Sequence, residues 1–104
     1  MDFLTYQKQA SETAVYAKKY DAIYPLVGLV SEVGEVCSLI KRNMRDGVEL
    51  DLKEIEKELG DVLWYLSALA TDLGLSLDLI ARNNIEKLRK RMEKQTIHGK
   101  GGDR

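Results

Sequence analysis

Residues 24–47 read YPLVGLVSEVGEVCSLIKRNMRDG, and this run sets the fold. A proline suited to a first helical turn stands near its start, and Asp46-Gly47 closes it where glycine can take the left-handed conformation that ends a helix. Between them Leu29, Val33, Val36 and Ile40 recur at the three- and four-residue spacing of a helix face meant for burial. Two acids interrupt the pattern. Glu32 falls inside the stripe, three after Leu29 and four before Val36, and Glu35 follows one turn later. The same figure returns downstream in ELGD, residues 58–61. There Glu58 stands three after Ile55 and four before Val62, on a stripe continuing through Leu59, Leu66 and Leu69, and Asp61 follows one turn on.

The rest of the chain also reads as helix. It has one proline in 104 residues, few β-branched residues and no alternating strand pattern. The first helix is expected from an Asp2 N-cap to Lys18 or Lys19, the second from near Pro25 to Asp46. The third starts at Asp51, with Glu54 as capping-box partner and Leu50 and Ile55 as a hydrophobic staple, and Gly74 stops it. The fourth starts at Ser76, with Leu75 and Ile80 as its staple, and runs to about Gln95. Short connections between four such helices predict an all-α fold, an antiparallel four-helix bundle. A single domain over 1–97 is expected, followed by a flexible glycine-rich tail, HGKGGDR, over 98–104.

With 44% apolar and 32% charged residues, the composition is that of a folded soluble protein. The longest apolar runs are broken within a few residues by Ser, Glu or Asp, and no basic segment precedes a hydrophobic stretch at the N-terminus. Neither a membrane span nor a signal peptide is expected, and the location read from this is cytoplasmic. A net charge of −1 provides no general attraction for nucleic acid, and the basic residues of the last helix are interleaved with acids. The single cysteine, Cys37 in VCSLI, reads as an inert core thiol.

The acids are what folding alone does not explain. Within each pair the i, i+3 spacing sets two like charges on one side of a helix, which weakens the helix. Carboxylates in an apolar setting need a counter-charge. For either pair alone a solvated helix face is the plain reading; two matched pairs, both on apolar stripes, point instead to a shared hard divalent cation held by Glu32, Glu35, Glu58 and Asp61. Gly34 and Gly60, one inside each pair, cost about 1 kcal/mol each relative to alanine in a helix, which suggests close helix approach or room for a ligand. On the fourth helix Leu77, Ile80, Ala81, Leu88 and Met92 mark the expected buried stripe, and Asn84 occupies its gap. Lys87 and Arg91 flank it, where they either reach a phosphate or simply complement the helix C-terminus. Trp64 and Tyr65 at this spacing read as core before they read as a stacking platform. His98, the sole histidine, reads as part of a passive terminus.

These residues resemble the MazG-like nucleotide pyrophosphohydrolases of the all-α NTP pyrophosphatase superfamily. The family hallmark is EExxE, a variable spacer and ExxD; this chain has SEVGE, a 22-residue spacer and ELGD, continuing as DVLWYL. The opening YQKQA, the NIEKLRKR segment and the HGKGGDR tail are similar as well. One departure is Ser31, which stands where the first Glu of EExxE would be. The resemblance implies Mg²⁺-dependent hydrolysis of an NTP or dNTP between the α and β phosphates to NMP and pyrophosphate, as nucleotide-pool housekeeping, with Mn²⁺ as a substitute metal. It implies Asn84, Lys87 and Arg91 as nucleotide contacts, assembly as a homodimer or homotetramer, and no nucleic-acid or membrane partner. The alternative is a non-catalytic helical dimerisation module.

Overall fold

The computed structural model describes residues 1–98, with side chains to Gln95. Among these residues the chain forms helices α1 (Phe3–Ser11), α2 (Ile23–Asp46), α3 (Leu52–Asp72) and α4 (Leu77–His98), with a short 3₁₀ turn at Lys18–Tyr20 and no strand. The all-α expectation holds. The fourth helix runs past Gln95 to His98, which was expected to begin the tail over 98–104; the rest of that tail lies outside the described residues.

The helix ends follow local chemistry. Asp51 accepts from the backbone N–H of Lys53 and Glu54 and opens α3, while Ser76 Oγ accepts from Leu79 N at 3.2 Å and opens α4. Gly47 and Gly74 sit at φ 66° and 71° and stop α2 and α3, a conformation that costs an L side chain energy and costs glycine none. The first helix is shorter than its pattern: it ends at Ser11 instead of Lys18 or Lys19. The reason is tertiary. Trp64 Nε1 donates to Thr13 Oγ1 at 2.8 Å, and Tyr16 OH donates to Asp72 Oδ2 at 2.6 Å. A helix continued past Ser11 would forgo both bonds to α3. The linker instead crosses α3 and enters α2 through Ala22, a non-glycine residue held at φ 66°.

The α2–α3 hairpin is the most extensively packed unit. The two helices run antiparallel, so Gly28 lies opposite Tyr65 and Glu32 opposite Asp61 and Glu58. A methyl group at position 28 would overlap the Tyr65 ring. The close approach inferred from the acid-flanking glycines therefore occurs at Gly28, whereas Gly34 and Gly60 have nothing within 4 Å of where a Cβ would stand. Gly28→Ala is expected to destabilise the protein by about 1–2 kcal/mol, because crowding a ring outweighs the gain in helix propensity. Gly60→Ala, with open space, is expected to stabilise by up to about 1 kcal/mol. Thermal denaturation of both variants reads the opposite signs.

Between α3 and α4 the chain bends by 104°. Gln7 of α1 fixes the corner: its Nε2 donates to Thr71 Oγ1 and Leu75 O, and its Oε1 accepts from Leu77 N. One amide thus satisfies polar groups left over at two helix termini. Leu77 is buried at the same place. Beyond it, α4 packs chiefly on α1, so its expected buried stripe is only partly covered: Ala81 is half-buried, whereas Ile80, Leu88 and Met92 are exposed. Asn84 is also exposed. Cys37 is exposed as well, not a core thiol, because it points away from α3. By length and composition α2 could cross a membrane, although Glu32 and Glu35 stand at its middle.

Candidate functional site

Glu32 of α2 and Glu58 and Asp61 of α3 each offer one carboxylate oxygen, and the three oxygens lie within 4.8 Å of one another. Glu32 and Glu58 are half-buried and Asp61 is exposed. The convergence follows from the antiparallel register: i, i+3 spacing aims Glu58 and Asp61 at the same level of α2, where Glu32 faces them. Glu35, one turn beyond Glu32, is exposed and stands outside this trio.

The trio is electrostatically unsatisfied. Glu58 Oε2 is buried and has no hydrogen-bond partner. Two ionised carboxylates are acceptors only, so they cannot satisfy each other. A proton shared with Glu32 would relieve the contact, and it is the first cause raising the Glu58 carboxyl above its ordinary range, followed by burial and the charges of Glu32 and Asp61. A divalent cation would answer the same need, and an all-oxygen, acidic donor set suits Mg²⁺ or Mn²⁺. The residues present therefore fit a hard metal ion.

The raised Glu58 value fixes a sign. The folded protein holds this proton more tightly than the unfolded chain does. The site's contribution to stability is therefore full below the ordinary carboxylate value of 4.5 and is lost as pH rises through the raised one. A cation competes with that proton. Mg²⁺ or Mn²⁺ is expected to raise the thermal midpoint near about pH 7.5 and to leave it unchanged near about pH 4.5. Equal shifts at both pH values, measured by scanning fluorimetry, would count against cation binding at these acids.

Tyrosines border the trio. Burial and then the charge of Asp61 push the Tyr6 hydroxyl up, and Tyr65 is pushed up by burial and its hydrogen bond with Tyr24, with Glu32 and Asp61 adding to it. Beyond Tyr65 lies an open cleft of about 490 Å³, walled by Tyr16, Tyr20, Tyr24, Trp64 and Tyr65. Tyr16 stacks on Tyr24 with centroids 5.0 Å apart, and Trp64 meets Tyr65 edge-on at 5.0 Å. Trp64 and Tyr65 are thus half-buried cleft walls. The three tyrosines of YAKKYDAIY, at four-residue intervals from Tyr16, are the signal that sequence reasoning passed over. Asn84 and Lys87 are exposed on α4 and Arg91 is half-buried there, and none of the three makes a hydrogen bond or ion pair among the described residues.

A family model described as MazG nucleotide pyrophosphohydrolase domain matches residues 25–96, the span that holds all four acids. The Gene 37 protein of Mycobacterium phage L5 is 38% identical over 109 residues, covering 95% of this chain and 96% of that protein. No solved structure matches.

Proposed function

Since the chain belongs to the MazG nucleotide pyrophosphohydrolase domain family, we propose that it hydrolyses a nucleoside triphosphate, NTP or dNTP, between the α and β phosphates to a monophosphate and pyrophosphate, with Mg²⁺ or Mn²⁺ as cofactor. The observation that carries this reading is the trio of oxygens from Glu32, Glu58 and Asp61, one atom of which is buried without a partner. Glu32, Glu58 and Asp61 would hold the metal, and Glu35, one helical turn away, would join them. A bound divalent ion would neutralise charge building on the phosphate oxygens and ease deprotonation of the attacking water. One of the glutamates orients that water and takes its proton. The tyrosine-walled cleft beside the acids suits the flat ring of a base, whose face stacks on aromatics whatever its identity. Lys87 and Arg91 carry charge that would pair with the phosphates. The protein works as a cytoplasmic homodimer or homotetramer in keeping the nucleotide pool clean.

The test is a panel of common NTPs and dNTPs with Mg²⁺, scored for pyrophosphate against orthophosphate. Pyrophosphate is expected, with one substrate preferred. Orthophosphate, or no turnover of any nucleotide, would sink the reading. The exposed apolar faces of α2, α3 and α4 favour the second reading, a non-catalytic dimerisation module. Such a module would be indifferent to the identity of residue 58.

A further inference from the structure

The hydrogen-bonding side chains of the aromatic cleft are almost all spent on the protein itself. Those able to bond are the hydroxyls of Thr13, Tyr16, Tyr20, Tyr24 and Tyr65 and the indole N–H of Trp64; Val15 and Ala17 add only apolar surface. Trp64 Nε1 donates to Thr13 Oγ1 at 2.8 Å, and Thr13 Oγ1 donates onward to Ala10 O at 2.8 Å. Tyr16 OH donates to Asp72 Oδ2 at 2.6 Å. The Tyr24 and Tyr65 hydroxyls bond to each other. Tyr20 is what remains, and its hydroxyl has no hydrogen-bond partner among the described residues. It closes the 3₁₀ turn Lys18–Tyr20 and is 47% exposed. Lys19 Nζ lies 5.1 Å from the centroid of its ring. Lys19 is not a wall of the cleft, so the ammonium steadies the ring from outside and leaves the phenol facing in.

We infer that Tyr20 is the specificity-determining residue of the cleft: its hydroxyl donates to the edge of the stacked base and selects bases that present a ring carbonyl there over those that present an amino group. This rests on the reading of the cleft as the place where the base stacks. Stacking supplies affinity with little regard to identity, because every base has a π-face. Selection needs a polar group at the base edge. The engaged side chains supply one only by giving up a bond they already make, which leaves their protein partners unpaired. Tyr20 supplies one at no such loss. A phenol is a better donor than acceptor; a ring carbonyl takes its hydrogen, whereas an exocyclic amino group, its lone pair delocalised into the ring, does not. The margin is modest. Because Tyr20 is half-exposed, an unmatched base leaves its hydroxyl bonded to water and not orphaned. Discrimination therefore stays near the roughly tenfold of one net hydrogen bond, far from the roughly 10⁴-fold of a fully enclosed one.

Turnover of ITP against ATP and of UTP against CTP tests this, since each pair keeps its ring system and changes the edge from oxo to amino. In the wild type kcat/KM is expected to favour the oxo member of each pair by about tenfold, and Tyr20→Phe, which keeps the ring and its contact with Lys19, should bring both ratios within about twofold. Tyr16→Phe is the control: its hydroxyl is already bonded to Asp72, so the change should lower the thermal midpoint and leave the ratios at their wild-type values. Wild-type ratios near one, a preference for the amino members, or ratios that Tyr20→Phe leaves unchanged would each overturn the assignment, with pyrophosphate release still upholding the hydrolase. The binding arm needs no turnover. Trp64, the one tryptophan of the chain, stands in the cleft wall, so quenching of its fluorescence by non-hydrolysable analogues of the same four nucleotides, with Mn²⁺, reads base binding directly. The oxo-over-amino order there, levelled in Tyr20→Phe, would uphold Tyr20 even for a chain that released no pyrophosphate. Absence of quenching by any of the four would overturn it.

Discussion

Glu58→Gln is expected to lower Mg²⁺-dependent pyrophosphate release by at least about 100-fold while leaving the helical signal and the oligomeric mass unchanged. Glu58 faces both Glu32 and Asp61, and its Oε2 is the buried oxygen without a partner. An amide keeps the shape but removes the charge and one acceptor, and even residues that merely support a metal ligand cost about 10–100-fold in affinity or activity when lost. Removing one of three converging negative charges should also leave the metal-free protein as stable near neutral pH, or more so, because the repulsion that raises Glu58 is gone. A large loss of activity with undiminished metal-free stability separates a ligand from a structural residue. Retained turnover would contradict the assignment of Glu58.

Asp72→Ala is expected to cost about 2–4 kcal/mol of stability. One oxygen, Asp72 Oδ2, accepts from Tyr16 OH at 2.6 Å and from Ala22 N at 2.8 Å. Bonds to a charged group are worth about 1.5–3 kcal/mol each, and the two are shared at one atom, so their losses do not simply add. The same carboxylate holds the linker against α3 at Ala22, a left-handed non-glycine residue that pays strain to be there. For a chain of this size the loss corresponds to a fall of roughly 10–25 °C in thermal midpoint. Tyr16 and Tyr24, which stack in the cleft wall, would loosen with it. The Michaelis constant for nucleotide should therefore rise in Asp72→Ala even below its melting temperature. Asp72→Asn, which keeps one acceptor oxygen, should recover part of both effects.

What the sequence made legible and what it hid divide along one physical line. Helix ends set by neighbouring residues were readable: Asp51 caps α3 through its own oxygen, and Gly47 and Gly74 take the left-handed stops. So was the convergence of Glu32 with Glu58 and Asp61, since Glu32 and Glu58 each interrupt an apolar stripe and stripes of adjacent helices face each other. Contacts distant in sequence were not readable. The first helix looked long because Tyr16 continues its periodicity, yet its partner Asp72 is 56 residues away. The burial of α2 was misjudged because Leu29 and Val36 belong to one stripe and Val33 and Ile40 to another, which a single spacing rule merges. Cys37 went wrong with them. The direction of α4 was hidden for the same reason, since its corner is set by Gln7, 70 residues before Leu77 in sequence.

The claim on which the functional reading rests is that the carboxylates of Glu32, Glu58 and Asp61 take up a divalent cation. Calorimetric titration of Mn²⁺ into the wild-type chain and into Glu58→Gln, each with and without a non-hydrolysable nucleoside triphosphate, measures that directly. Saturable uptake by the wild type that is tightened by nucleotide and lost in Glu58→Gln is the predicted result. Uptake that is the same in both chains, or absent from the wild type even with nucleotide present, would contradict it.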